Sequence, residues 1–222
     1  MPYRAEELCS KIFMSRLPNV LTLAIMILGY IQLIAQPCRV SSNINPITNT
    51  DSWMTRTELN VDYFTDEVQF FTDKQFPKTT YIKFDIMTPI PLSSSIGDSA
   101  WVILDNGYTI QLINEKNYIP KRAEMKAVLF RIEYFHVGFV SKITEKDVSH
   151  MAAFNIKEYA FDLHPRFVNP YVEINFPKDH PAFSKRTTFT KIDDRIEIRT
   201  KKLYKSHQKD IRRTAACAKS YF

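Results

Sequence analysis

Glycine is scarce in this chain: Gly29, Gly97, Gly107 and Gly138 are all there is in 222 residues. A phosphate-cradling loop needs clustered glycines so that backbone N–H groups can approach the anion, and no such cluster is present. Cysteine is nearly as scarce. Cys9, Cys38 and Cys217 are too few for a disulfide-stapled miniprotein or a multi-cysteine zinc site. The five histidines (His136, His150, His164, His180 and His207) include no pair at i, i+4 with Glu between. Gly-x-Ser-x-Gly is missing, which removes the common serine nucleophile elbow. Asn-x-Ser/Thr is missing too, so N-glycosylation contributes nothing. No catalytic residue, metal ligand or cofactor is assigned from these patterns.

Charge is missing altogether between Leu17 and Cys38, in the run LPNVLTLAIMILGYIQLIAQPC. A start at Met14 would give Met14-Ser15-Arg16, an apolar core over Leu17–Leu28 and a more polar end over Gly29–Gln36. That is the order of a secretory signal. Cleavage is expected after Ala35, with residues 1–13 then never translated. The competing reading is an uncleaved anchor, because about 20 apolar residues span a bilayer. Either way the chain is expected to be exported (periplasmic, outer-surface or secreted) or tethered by its N-terminal helix, with residues 1–35 outside the folded core. Export would leave Cys38 and Cys217 as the two cysteines in an oxidising compartment. One bridge between them or two unpaired thiols are both open.

What is present favours strands. Aromatics make up 13% of the chain and hydrophobic residues 45%, enough for a packed core. Residues 36–60, rich in Ser, Asn and Thr, read as a linker or entry segment. From residue 61 to 183 a β-rich core domain is expected. Glu67–Thr72 is a short strand. Thr80–Met87 alternates, with Ile82, Phe84 and Ile86 on one face and Tyr81, Lys83 and Asp85 on the other. Trp101–Leu104 and Tyr108–Ile113 flank Asp105-Asn106-Gly107, which predicts a hairpin with a type I′ turn. Glu124–His136 reads as one strand, with Val128, Phe130, Ile132 and Tyr134 on a face and Gly138 at its bend or end. Thr144 caps a short helix carrying Val148, Met151 and Ala152. Ile156–Leu163 and Tyr171–Phe176 are further strands.

The formal charge of +6 is unevenly spread. Between Ser184 and Phe222 twelve Lys/Arg face four Asp/Glu, so this fifth carries +8 and the remainder −2. Residues 184–222 are expected as a basic strand and helix packed on the core: a strand over Arg195–Arg199, then a helix from Ser206 with Ile211, Ala215, Ala218 and Phe222 on its apolar stripe. Lys201, Lys202, Lys205, Lys209, Arg212 and Arg213 are the candidates for contact with an anionic lipid or polysaccharide. A solvated basic face is the ordinary outcome of such a run, and export argues against nucleic acid. Asp193, Asp194 and Glu197 read as charge-balancing partners of these cations.

The segments Ile143-Thr-Glu-Lys-Asp-Val148 and Asn155-Ile-Lys-Glu-Tyr-Ala-Phe161, after a long aromatic-rich strand, resemble a pattern in small exported bacterial proteins of unknown function. That resemblance covers roughly residues 61–163 and the C-terminal helix. It implies a β-rich body with a C-terminal helix and brings no activity with it. The fold expected is α+β: a mostly antiparallel sheet, as a half-barrel or sandwich, with one short internal helix and a C-terminal helix. The leading functional expectation is an exported, non-enzymatic binding or structural module whose ligand is an unknown protein or cell-surface group. The alternatives are an exported hydrolase with a site scattered in sequence, and a membrane-anchored protein whose basic C-terminal region meets anionic surfaces.

Overall fold

Period-two alternation of aromatic and β-branched residues recurs along the chain, and antiparallel strands follow from it. The computed structural model describes residues 38, 40–55, 67–75, 77–126, 131–166, 187–201, 203 and 205–222. In chain order the elements are β1 (Val40–Ile44), β2 (Asp51–Thr55), β3 (Glu67–Asp73), β4 (Thr80–Thr88), β5 (Leu92–Ser93), β6 (Ser99–Leu104), β7 (Thr109–Ile113), β8 (Lys121–Lys126), β9 (Arg131–Ile143), α1 (Glu145–Ala153), β10 (Ile156–Pro165), β11 (Thr187–Ile192), β12 (Arg195–Lys201) and α2 (Lys205–Tyr221). The fold is α+β and mostly antiparallel. One sheet, curved as a half-barrel, runs β1-β2-β3-β4-β9-β8; the other runs β11-β12-β10-β6-β7, with β5 paired to β10.

The core lies between the inner faces of these sheets. Ile82, Phe84 and Ile86 alternate inward from β4, as the sequence pattern requires, and Tyr159, Phe161 and Leu163 meet them from β10. Phe161 packs edge-on against Phe84 at 5.0 Å and Phe139 at 5.3 Å, so three rings join the two layers. Burying each such ring contributes about 1.5–3 kcal/mol. The register of β10 slips between Ile156 and Glu158, a bulge at the exposed Lys157. Without that extra residue, Ile156 and Tyr159 would point to opposite faces. Thr144 Oγ1 accepts from the Asp147 N–H and caps α1, which buries Val148 and Met151. Ile211, Ala215 and Ala218 of α2 join the same core.

Four local readings change. The segment 36–60, expected as a linker or entry segment, carries β1 and β2, which extend the first sheet beyond β3. Its polar residues are what order it. Asp73 is buried and accepts from Thr48 Oγ1 at 2.8 Å and from Thr50 Oγ1, while Asn45 Oδ1 accepts from the Ile47 N–H. The hairpin at 105–107 stands, but only Gly107 has positive φ (+84°), and its N–H donates to the Leu104 carbonyl. That is a three-residue loop, a type I turn followed by a left-handed glycine, in place of type I′. The single strand expected over 124–136 is two, because β8 and β9 are antiparallel with Lys126 opposite Arg131. Val128 and Phe130 lie outside the described residues. Finally, Gly138 sits inside β9 and ends nothing: a Cβ there would meet the Tyr118 ring at 2.6 Å. The expected strand Tyr171–Phe176 and the charge-free stretch before Cys38 also fall outside the described residues. Among those described, no helix is long and apolar enough to cross a membrane.

Candidate functional site

Besides the cluster around Asp73, polar groups gather in two further places among the described residues, one against the first sheet and one on the second. Against the outer side of β9, Asn114 is almost wholly buried. Its Nδ2 donates to Ser94 Oγ (3.1 Å), the Ser95 carbonyl (2.9 Å) and the Lys116 carbonyl (2.6 Å), and its Oδ1 accepts from the Val140 N–H (3.0 Å). Ser94 Oγ donates onward to the Gly138 carbonyl at 2.6 Å. This knot holds the segment 114–118 across β9 and lays Tyr118 on Gly138. There Tyr118 joins a satellite cluster of Met54, Phe71, Tyr81 and Val140. The phenol of Tyr118 is pushed up to about 12 by burial, with Asp85 adding to the effect. The group acts as an apolar plug at physiological pH.

The second gathering is charged. Along the outward side of β10, Glu158, Ala160, Asp162 and His164 follow one another at every second residue. Cross-strand pairing sets Trp101 of β6 on one side of Ala160 and Arg199 of β12 on the other; Gln111 of β7 lies beyond Trp101. Arg199 donates to Glu158 and, from both Nε and Nη2, to Glu197 at 3.0 Å. Those hydrogen bonds from Glu197 and Glu158 raise the guanidinium further above its already high range. Asp162 stands directly opposite Glu197. Its carboxyl is raised, first by burial and then by Glu197, with Arg195 at 3.9 Å pulling the other way. At the end of β10, His164 Nε2 meets the buried Asp98 at 2.9 Å, while Asp98 Oδ2 accepts from the Ser95 N–H at 2.6 Å.

This row is the candidate site. It offers an indole beside a fixed array of carboxylate acceptors and guanidinium donors, on a sheet whose exposed neighbours Thr109, Gln111, Thr188 and Thr190 are polar. Among the described residues no group of three His, Cys, Asp or Glu side chains is placed to hold a metal ion.

The residues singled out from the sequence go elsewhere. Cys38 and Cys217 are joined as a disulfide, with Cα atoms 5.3 Å apart and 179 residues between them. Lys205, Lys209, Arg212 and Arg213 lie on the exposed side of α2. The Lys201 side chain and Lys202 lie outside the described residues. Arg212 donates to Asn155 Oδ1 (3.4 Å) and Arg213 pairs with Asp210 (3.9 Å). His150 stacks on Tyr108 with ring centroids 3.9 Å apart, whereas His164 takes Asp98, so the two histidines have different partners. His207 is lowered by burial, opposed by Asp210. Glu197 does pair with Arg199, and Asp194 approaches Arg195 at 3.8 Å.

Nothing in the spacing of Trp101, Asn114, Glu158 and Arg199 announced either gathering: strand pairing brings Arg199 to Glu158 across 41 residues, and Asn114 meets Ser94 and Val140 at 20 and 26 residues only once the sheets have formed. Comparison with protein-family models, with curated proteins and with solved structures finds no match to this chain.

Proposed function

We propose that this chain is an exported, non-enzymatic binding or structural module, of the kind met in small exported bacterial β-rich proteins, and that its ligand is held on the outer face of the second sheet. One observation carries the binding reading: the row Gln111–Trp101–Ala160–Arg199, in which the guanidinium is fixed by two carboxylates beside the indole. An aromatic face stacks on apolar or π surface, and pre-oriented donors and acceptors beside it fix polar groups at little further entropic cost. Export is supported by the Cys38–Cys217 bond, since disulfides persist in oxidising compartments, and by the signal-like order of Met14–Gln36. A second reading, an exported hydrolase, is favoured by the Asp98–His164 pair beside Asp162. A carboxylate holding one imidazole nitrogen leaves the other for general-base work.

The test is fractionation of expressing cells with intact-mass analysis of the non-reduced protein. A chain lacking the two thiol hydrogens and found outside the cytoplasm is the expected result, a start at Gln36 marking a cleaved signal and retention of Leu17–Ala35 an anchor. A reduced, full-length chain in the cytoplasm overturns the proposal. Loss of the row's ligand on Trp101→Ala, with His164→Ala harmless, separates binding module from hydrolase.

A further inference from the structure

In α2, Lys205, Lys209, Arg212, Arg213 and Lys219 are all exposed. At 3.6 residues per turn they fall within a sector of about 120° and run about 21 Å along the axis. Asp210, the helix's acidic residue, is off that sector and turned to Arg213. The opposite side is the buried stripe of Ile211, Thr214, Ala215 and Ala218. The helix is therefore rigidly seated with its cations outward, where a flexible basic tail would spread them. Cys217 ties this helix to Cys38. Cys38 follows the charge-free stretch in sequence with only Gln36 and Pro37 after Ala35. Three residues reach about 10 Å. Any bilayer that holds the stretch up to Ala35 therefore lies within about 10 Å of the residue bonded to α2.

We infer that the basic face of α2 is an electrostatic contact for anionic phospholipid headgroups, holding the domain against the surface from which its chain emerges. Polybasic segments next to a membrane are attracted by the negative surface potential, and the attraction falls off within a Debye length. The bridge fixes the contact's orientation together with the packing of α2 against β2 and β3, the strands that follow Cys38. This rests on the oxidised, exported state proposed above in its anchored form, with Leu17–Ala35 retained, and names a partner that form would face; a chain beginning at Gln36 overturns it.

The experiment is lysine acetylation of the full chain, read by mass spectrometry, with vesicles of phosphatidylcholine alone or mixed with phosphatidylglycerol. The expected result is labelling of Lys205, Lys209 and Lys219 at least about threefold slower on the anionic vesicles, restored by high salt, with the exposed Lys157 unchanged. Lys209→Gln with Arg212→Gln, both on exposed positions, should abolish most of the protection of Lys205 and Lys219. Equal rates on both vesicles overturn the inference. Equal protection by dissolved dextran sulfate also overturns it, in favour of a polyanionic polysaccharide. The mass of the same sample reports the Cys38–Cys217 bond, so failure of the compartment reading shows as a reduced pair and failure of the contact as an unprotected helix.

Discussion

The two gatherings use polar residues in opposite ways. Against the outer side of β9 neutral groups are enclosed: Asn114, Ser94 and the Gly138 carbonyl satisfy one another, and Tyr118 covers them with its ring. Along β10 and β12 charged groups line the outward side: Arg199 joins Glu197 and the buried Glu158, Asp162 stands opposite Glu197, and Trp101 lies across Ala160 from Arg199. A buried neutral knot specifies a structure, since each member is costly to leave unpaired. An ordered row of charges on a sheet face adds little stability and retains its capacity to meet a ligand. The difference marks the first gathering as structural and the second as the proposed ligand face.

Asn114→Ala should break the comparison most visibly. It removes four hydrogen bonds and leaves the Val140 N–H buried, a loss of about 3 kcal/mol in urea unfolding. A loss below about 1 kcal/mol would mean the knot is not structural. Gly138→Ala comes next. The new methyl would drive Tyr118 off the face at a cost of about 2 kcal/mol, and the paired variant Gly138→Ala with Tyr118→Ala should recover part of it. Arg199→Ala acts on the other sheet and should cost about 2 kcal/mol, because it takes the guanidinium from the buried Glu158 carboxylate. Ligand binding, not folding, is where that variant should fail.

The smallest effect runs the other way. Asp162 has its folded pKa raised above the ordinary 3.8, so the folded state holds the proton more tightly than the unfolded chain. Stability should increase as pH falls through the folded value toward 3.8, and ionised Asp162 should weigh against folding at pH 7. Asp162→Asn is therefore expected to gain a few tenths of a kcal/mol at pH 7, with the gain disappearing below pH 3.8. A stability loss at pH 7 would show that Arg195 outweighs burial and Glu197.

Much of the fold was legible because alternation along one strand is a local signal. Ile82, Phe84 and Ile86 predict β4, and Ile211, Ala215 and Ala218 predict the seat of α2, without knowledge of any partner. The misreadings have equally local causes. Ser, Asn and Thr in 39–60 look like loop until Asp73, from another strand, collects their hydroxyls. Gly138 looks like a strand end until Tyr118, twenty residues away, needs the space. The candidate row was invisible for a related reason. Glu158, Asp162 and Glu197 are ordinary surface carboxylates in sequence and become an array only when β10 pairs with β12 and β6.

The most direct test places a photo-reactive residue at Gln111, on the second sheet's outer face, or at the exposed Gln75 beside the first sheet, in the protein expressed in living cells. The account predicts a discrete crosslinked adduct from position 111 that disappears with Trp101→Ala, and none from position 75. Adducts from position 75 alone, or equal adducts from both that survive Trp101→Ala, would contradict it.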